Sequence, residues 1–319
     1  MESLLCNEVW LMSPNAMGES DELGEEVPVS VFASEQECEQ VVRNILDKET
    51  KYTPESGYLE SLLTNDLMRS CRFKAVNWLV ESRKRLDLSL GTVFIAVNCL
   101  DRFASLPRCK GWKDWMFELL SIACLSVASK FNETDVLSLR EFQGNGLLHS
   151  FAPSLIQRME LTLLKGLGWR LASTTSFSYL ELLINDDLNK TLVMDSRYGR
   201  VTELLINVLL DPKFLEFRPH FIAISAVKCV FGDVLHPTFD TSVFAFLNNL
   251  VSQNQDDFCK CQRAMEKLQD QNILAPGNSW NDPSSPVTVL LEEEWFNICS
   301  TDSRSSKKRE RRTIICDLN

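Results

Sequence analysis

The stretch ELLSIACLSVASK, residues 118 to 130, decides the fold class. Read as a helix, it carries apolar or small side chains on nearly every side, between one acid at its start and one lysine at its end. Such a helix must lie at the centre of other helices, because all of its sides need apolar cover. A second stretch of this kind, RPHFIAISAVKCVFGD, has Pro219 at a plausible first helical position and Gly232 as a stop signal. The chain therefore predicts two helical bundles, each with its own central helix.

Amphipathic helices are predicted around these central ones. In residues 154–167 one apolar stripe recurs at helical spacing, and in residues 201–210 a similar stripe follows the i, i+3, i+4, i+7, i+8 pattern. Polar and β-branched residues interrupt the period at 168–177, where we place the hinge between the bundles. No convincing alternating strand occurs between residues 39 and 270. We expect an all-α protein.

Both ends of the chain differ in composition from its middle. Residues 1–40 contain ten Asp or Glu and no Lys or Arg, which predicts an acidic disordered tail. Proline, glycine and serine break the helical pattern after residue 271. The predicted organisation is a tail at 1–40, a first folded domain at 41–170, a second at 171–270, and a tail with a basic run at 271–319.

Charge and cysteine content exclude several classes of function. A formal net charge of −11 argues against nucleic acid as the main partner, since binding phosphates needs a basic surface. The start of the chain does not resemble a signal peptide, and no apolar run reaches the roughly 18–20 residues of a membrane span. The eleven cysteines are scattered, so we expect free thiols of a soluble intracellular protein. Cys259 and Cys261 lack the further ligands that a zinc site needs.

The sequence offers no catalytic residues. It has no glycine-rich phosphate loop, no His-Glu-x-x-His and no Gly-x-Ser-x-Gly, and its three histidines stand at unrelated positions. We expect these histidines to be structural, and we expect neither a cofactor nor a metal.

Three stretches carry a resemblance to a known family. They are VNWLVESRKRLDLSLGTVFIAVNCLDRF (76–103), CLSVASKFNE (124–133) and RMELTLLKGLGWRL (158–171). In this order they closely resemble the cyclin box of plant D-type cyclins, and the likeness covers roughly residues 40 to 270. The opening LLCNEVWLMSP is most similar to the seventh D-type subgroup, and SSPVTVL (284–290) resembles a tail motif common in these cyclins. The resemblance implies two tandem five-helix cyclin-fold domains, which agrees with the two bundles.

The resemblance also implies a function and a kinase-binding face. Cyclins bind and activate a cyclin-dependent serine/threonine protein kinase, here at the G1/S transition, and are not enzymes themselves. The family's charged contact pair falls on Lys130 and Glu160, and its apolar contacts fall on Phe131, Leu164 and Trp169. Without the resemblance, Lys130 would be explained by a helix dipole, Glu160 by solvation and Leu164 by core packing.

A second surface of the family recruits substrates and kinase inhibitors through Arg-x-Leu peptides. The resemblance places it on Cys71, Lys74, Trp78, Glu81 and Phe117. Cys71 and Lys74 replace larger apolar residues, which predicts an altered docking patch.

The resemblance has one further departure, at Asn132, and one further match, at Asp101 and Arg102. Asn132 replaces an acid, which predicts an altered kinase contact. Asp101 and Arg102 match a buried structural ion-pair position and should hold the fold.

The N-terminal tail contains a candidate peptide motif. In an extended chain Leu4, Cys6, Glu8 and Trp10 point to the same side. Leu-x-Cys-x-Glu followed by an apolar residue is the peptide that retinoblastoma-type pocket proteins bind, so we expect a retinoblastoma-related partner. The alternative is coincidence, with a chance on the order of a few per cent for three fixed residues.

The basic run SSKKRERR (305–312) is compatible with nuclear import, so we expect a nuclear and in part cytoplasmic protein; the alternative is a solvated tail. Two other functions stay open. One is a pocket-protein-binding adaptor on a cyclin fold that activates no kinase. The other is a transcription-factor-like adaptor, which the acidic charge disfavours.

Overall fold

The computed structural model describes residues 35–135, 137–144, 146–183, 196–232, 241–274 and 287–288. Two leading helices are α1 (Glu35–Glu49) and α2 (Tyr58–Thr64). The first repeat consists of α3 (Asp66–Leu86), α4 (Leu90–Ala104), α5 (Asp114–Asn132), α6 (Leu139–Phe142) and α7 (Pro153–Gly166). The second consists of α8 (Ser176–Leu183), α9 (Ser196–Leu210), α10 (Pro219–Phe231), α11 (Thr241–Gln253) and α12 (Gln255–Leu274). The prediction of an all-α fold with two five-helix repeats is confirmed.

Helix α1 begins ahead of the boundary predicted at residue 40, and α12 runs past residue 270. Short 3-10 turns in the described ranges lie at Thr50–Tyr52, Pro107–Cys109 and Pro212–Glu216. A two-residue strand β1 (His149–Ser150) pairs in parallel with β2 (Val287–Thr288). Among the described helices, none combines the length and apolar character that crossing a membrane requires.

Helix α5 is the centre of the first repeat. Every residue from Leu119 to Ser129 is buried, and the neighbouring α4 and α7 cover it from two sides. Its small side chains, such as Ala123 and Ala128, let those helices approach closely. Helix α10 has the same role in the second repeat, where His220 to Val227 are buried and Gly232 ends the helix at a φ of 75°. Both central helices are thus where the sequence predicts them.

Helix α1 packs against the second repeat, although it precedes the first. Val42 is fully buried among the core residues of the second repeat, and the guanidinium of Arg43 lies 5.5 Å from the ring centroid of Phe246. The carboxylate of Glu49 accepts a hydrogen bond from the backbone N–H of His220 and lies 3.0 Å from its Nδ1. Both side chains are almost completely buried. This pair fastens the end of α1 to the start of α10.

A buried ion pair joins α3 to α4. Arg72 donates from Nε and Nη2 to the two carboxylate oxygens of Asp101, at 2.7 and 2.8 Å. The hydroxyl of Tyr58 donates to the same carboxylate at 2.8 Å, and Arg72 Nη1 donates to the carbonyl of Leu209 in the second repeat at 3.0 Å. Burial, together with the charge of Asp101, raises the pKa of Tyr58 well above its usual value. One network therefore connects α2, α3, α4 and α9.

The expected pairing of Asp101 with Arg102 is wrong. Arg102 instead donates from Nη1 to the carbonyl of Arg170 at 2.9 Å, and its guanidinium stacks 4.8 Å from the centroid of Tyr52. Neighbours in a helix point about 100° apart, so Asp101 and Arg102 face different elements. Asp101 faces α3, whereas Arg102 supports the turn that follows α7.

The described cysteines are free thiols, as predicted, and most are buried. Burial raises the pKa of Cys99 and of Cys109 to about 12, so that these thiols stay protonated and serve as small apolar side chains. Within the described ranges, no three His, Cys, Asp or Glu side chains are grouped as a metal ion would need.

The buried network predicts a large stability loss on removal of its acid. Asp101→Ala leaves the Arg72 guanidinium buried without its counterion, which should lower the free energy of unfolding by roughly 3–5 kcal/mol. Glu81→Ala is a matched control, because Glu81 is 3.7 Å from Lys84 in an exposed pair on α3. The control should cost less than about 1 kcal/mol. Urea unfolding followed by circular dichroism measures both, and equal losses would contradict the assigned role of Asp101.

Candidate interaction site

The charged pair predicted for kinase binding is formed within the chain itself. Lys130, in the last turn of α5, places Nζ 2.7 Å from Oε1 of Glu160 on α7. The Glu160 side chain is only 10% exposed, whereas that of Lys130 is 41% exposed. Glu160 therefore holds the ammonium group in place, and Lys130 presents the remaining donors to solvent. The structure brings these two predicted residues together.

Large apolar side chains stand exposed near the ends of the same two helices. Phe131 is 49% exposed at the end of α5, and Trp169 is 65% exposed just after α7. Leu161 on α7 is 51% exposed and was not predicted from the sequence. Leu164 is half-buried against the first core, so core packing accounts for part of its side chain. We call Lys130, Phe131, Glu160, Leu164 and Trp169 the α5–α7 face.

The backbone after α7 explains why Trp169 is so exposed. Gly168 and Trp169 both adopt left-handed conformations, with φ of 60° and 61°. The N–H of Trp169 donates to the carbonyl of Leu164 at 2.9 Å, which closes the turn. A left-handed residue with a side chain costs roughly 1–2 kcal/mol. The fold thus holds a large aromatic ring in solvent at an energetic cost.

A glycine sets the approach of α7 to α4. A Cβ at Gly166 would lie 2.6 Å from the ring of Phe103, which is closer than atoms can pack. Phe103 is fully buried and cannot easily move aside. Glycine at this position therefore allows α7 to end where the turn to Trp169 begins.

Asn132 supports the residue that caps a neighbouring helix, Ser89 at the start of α4. Its amide donates to the hydroxyls of Ser89 and Thr92 at the start of α4, both at 2.9 Å. Glu133 accepts from the backbone N–H of Ser89 at 2.9 Å and from the Thr92 hydroxyl. Partial burial would raise the pKa of Glu133, but these hydrogen bonds lower it overall. The Asn132 amide is thus committed to the beginning of α4, a role that the sequence did not reveal.

The predicted docking patch hides its apolar members. Cys71, Trp78 and Phe117 are 3%, 6% and 4% exposed and belong to the first core, whereas Lys74 and Glu81 are exposed. The patch therefore shows mainly charge at its surface.

A single acid covers part of this patch. Asp114 at the start of α5 accepts from the Cys71 thiol at 3.2 Å and lies 3.8 Å from Nζ of Lys74. Burial, reinforced by Asp114, raises the pKa of Cys71 to about 12. The thiol therefore stays protonated and donates to the carboxylate.

One polar atom of the patch lacks a partner among the residues that the structure describes. The Nε1 of Trp78 is buried without a hydrogen bond. Gly146 lies against this indole at a φ of 92°, and a Cβ there would be 3.5 Å from the ring. Beside it, Glu118 Oε2 accepts from the N–H of His149 at 3.0 Å and lies 3.1 Å from its Nδ1. Glu118, the residue after Phe117, thus ties this loop to α5, a contact that sequence reasoning missed.

The pocket-protein motif at Leu4, Cys6, Glu8 and Trp10 lies outside the described residues, as does the basic run 305–312.

This chain is similar to several known proteins. The family model described as cyclin, N-terminal domain, matches residues 40–172. A putative cyclin-D7-1 of Oryza sativa subsp. japonica is 35% identical over 70% of this chain and 66% of its own length. Cyclin-D4-2 of Arabidopsis thaliana is 32% identical over 85% of this chain and 87% of its own length. A viral cyclin from herpesvirus saimiri, at 14% identity, shares the fold with a TM-score of 0.54 over 72% of this chain and 97% of its own.

The chain belongs to the cyclin family, among the plant D-type cyclins. Members of this class are regulatory subunits of cyclin-dependent kinases, so the chain is a regulatory subunit and not an enzyme.

Proposed function

We propose that this chain activates a cyclin-dependent serine/threonine kinase through its α5–α7 face and promotes the G1/S transition. In the same proposal it tethers a retinoblastoma-related pocket protein as substrate and meets kinase inhibitors at the docking patch. The exposed Trp169 is the observation that carries the kinase half, because its cost to the free protein is repaid by a partner that covers the ring.

To activate a kinase, the cyclin needs only to bind the kinase's active arrangement more tightly than its inactive one. Kinase catalysis requires the αC glutamate to pair with the lysine that contacts ATP. A rigid surface that fits only this arrangement shifts the kinase toward it. A shift from 1:99 to 99:1 takes roughly 5.5 kcal/mol. Helix α5, which is buried over most of its length, and the packed side of α7 provide such a rigid support for the face.

The parts of the α5–α7 face have different roles. Phe131 and Trp169 are aromatic side chains that a partner can desolvate, which is typical of interface anchors. Lys130 supplies a cation that Glu160 orients at 2.7 Å. Because this ion pair exists in the free protein, the charged contact is preorganised and loses little side-chain entropy on binding.

Trp169→Gly separates binding from folding. Glycine suits the left-handed φ of 61°, so the melting temperature should stay the same or rise. Loss of the indole should weaken kinase binding by about 30-fold, the effect of an interface anchor worth roughly 2 kcal/mol. Calorimetry with a plant cyclin-dependent kinase measures the affinity, and histone phosphorylation measures activation.

Leu67→Ala is the control for this experiment, since Leu67 is 55% exposed on α3, outside the α5–α7 face. It should leave both affinity and activation unchanged. Wild-type behaviour of Trp169→Gly would refute the proposed face. Binding of a pocket protein without binding of any kinase in a panel would favour the adaptor that activates none.

The tethering half rests on the N-terminal motif. Leu4, Cys6 and Glu8 match the spacing of the pocket-protein peptide, in which two apolar side chains fill adjacent pockets and the glutamate accepts hydrogen bonds. A tethered substrate has an effective concentration in the roughly millimolar range, far above its free concentration.

The basic run 305–312 supports the further proposal of nuclear localisation, and a fluorescent fusion confined to the cytoplasm would count against it.

Cys6→Gly should affect one substrate and spare another. In the kinase complex, phosphorylation of a pocket protein at low substrate concentration should fall by about tenfold or more, because the tether is lost. Phosphorylation of histone should stay constant, since Cys6 lies outside the cyclin box. Asn7→Gly is a matched control, because Asn7 is a variable position of the motif. A similar loss in both variants, or on both substrates, would refute tethering by Cys6.

A further inference from the structure

Residues 53–57 form an exposed connection between the turn at Thr50–Tyr52 and α2. Thr53 is exposed and ends this turn with an extended backbone, at φ −89° and ψ 150°. Pro54 follows it directly, and a proline restricts the preceding residue to such an extended conformation. The Thr53 hydroxyl donates to the carbonyl of Thr50 at 3.2 Å, in an exposed contact. The hydroxyl is therefore accessible at the surface.

Two hydrogen bonds hold this connection on either side of Thr53. Before it, the amide of Asn98 on α4 donates to the carbonyl of Tyr52 at 2.9 Å. After it, the N–H of Glu55 donates to the hydroxyl of Ser105, also at 2.9 Å. Thr53 is thus displayed in a defined conformation with its side chain in solvent.

Thr53 and Pro54 together form the dipeptide that proline-directed protein kinases recognise. A kinase transfers phosphate by in-line displacement, so the acceptor hydroxyl must be accessible. Thr53 has both the accessible hydroxyl and the proline. Thr64 is a contrast within the same region, because it is also exposed but is followed by Asn65. Its hydroxyl donates to a carbonyl within α2 at 2.8 Å.

A phosphate on Thr53 would stand at the unfavourable end of a helical turn. The hydroxyl now donates to the Thr50 carbonyl, at the end of the turn that follows α1. Phosphorylation replaces this donor with a group of about −1.5 to −2 charge whose oxygens are strong acceptors. Carbonyl groups at the end of a helical turn carry partial negative charge, so they repel an anion there. The modification therefore weakens the turn.

We propose that Thr53 is a phosphate acceptor for a proline-directed protein kinase, and that the phosphate loosens the turn that joins α1 to the first repeat. Oγ1 of Thr53 attacks the γ-phosphorus of ATP, the bond from this phosphorus to the β–γ bridging oxygen breaks, and ADP leaves. The hydroxyl proton passes to the catalytic aspartate of the kinase. The proposal concerns a modification of this chain and does not rest on the proposed function.

Phosphorylation of the full-length chain by an activated mitogen-activated protein kinase, a proline-directed enzyme, tests the acceptor. Mass spectrometry of the digested product should find phosphate on Thr53 and not on Thr64. Thr53→Ser should remain an acceptor. Pro54→Ala should lower the rate at Thr53 by about tenfold or more, the discrimination that an apolar pocket achieves against a missing group.

Two results would overturn the acceptor. One is the absence of phosphate from Thr53 in the full-length chain, and the other is an unchanged rate in Pro54→Ala. A peptide of residues 48–58 is phosphorylated in parallel. Phosphate on the peptide but not on the chain would show that the folded connection withholds the hydroxyl.

Hydrogen exchange of the Glu55 amide tests the effect of the phosphate. In the phosphorylated chain this amide should exchange about two- to fivefold faster than in the unmodified chain, the effect of one unfavourable charge at a helical end. The difference should shrink at about 1 M salt, because salt screens the repulsion. The amide of Ala123 in the central helix α5 should exchange at the same rate in both chains.

Thr53→Val is the matched control, because valine keeps the β-branched shape and removes the hydroxyl donor without adding charge. Its Glu55 amide should exchange more slowly than that of the phosphorylated chain. Equal rates in the two would overturn the role of charge. Slower exchange in the phosphorylated chain than in the unmodified chain would overturn the loosening, since the phosphate would then pair with a nearby cation such as the exposed Lys51. Equal acceleration at Ala123 would overturn the local effect.

Discussion

The bidentate ion pair between Arg72 and Asp101 is the constraint on which the arrangement of helices depends. Two charges that are each only 3% exposed have lost nearly all their hydration, so they are tolerable only with complete hydrogen bonding. Tyr58 and the carbonyl of Leu209 complete it, and they come from α2 and from the second repeat. The network can form in only one relative placement of these elements. The network thus fixes α2, α3, α4 and α9 against one another, and α5 with its α5–α7 face is held by apolar packing against α4 and α7.

Helical periodicity predicts which helices are central, because an apolar circumference such as that of residues 118–130 admits no other placement. It does not predict Arg72 as the partner of Asp101, since the two stand 29 residues apart and either could have met another buried group. The resemblance located Lys130, Glu160 and Trp169, but not the left-handed backbone that exposes the ring. It also placed Trp78 and Phe117 in a docking surface without showing that both are buried, because burial depends on what the neighbouring loop covers.

The two proposed interaction surfaces of this cyclin differ in physical character. The α5–α7 face presents aromatic area and a preformed ion pair, which suits a rigid partner that desolvates the rings. The docking patch keeps its apolar side chains covered and shows Lys74 and Glu81 instead. Exposed charges contribute little affinity because salt and water screen them. A surface of this kind therefore favours weak and exchangeable contacts.

The attachment of α1 to the second repeat has a consequence for biosynthesis. Glu49 and His220 are 171 residues apart, so α1 finds this partner only after α10 has been made. Until then Val42 lacks the apolar surface that buries it, and an isolated helix of 15 residues is only marginally stable in water. An early helix of the fold is thus secured only late in synthesis, once α10 has emerged.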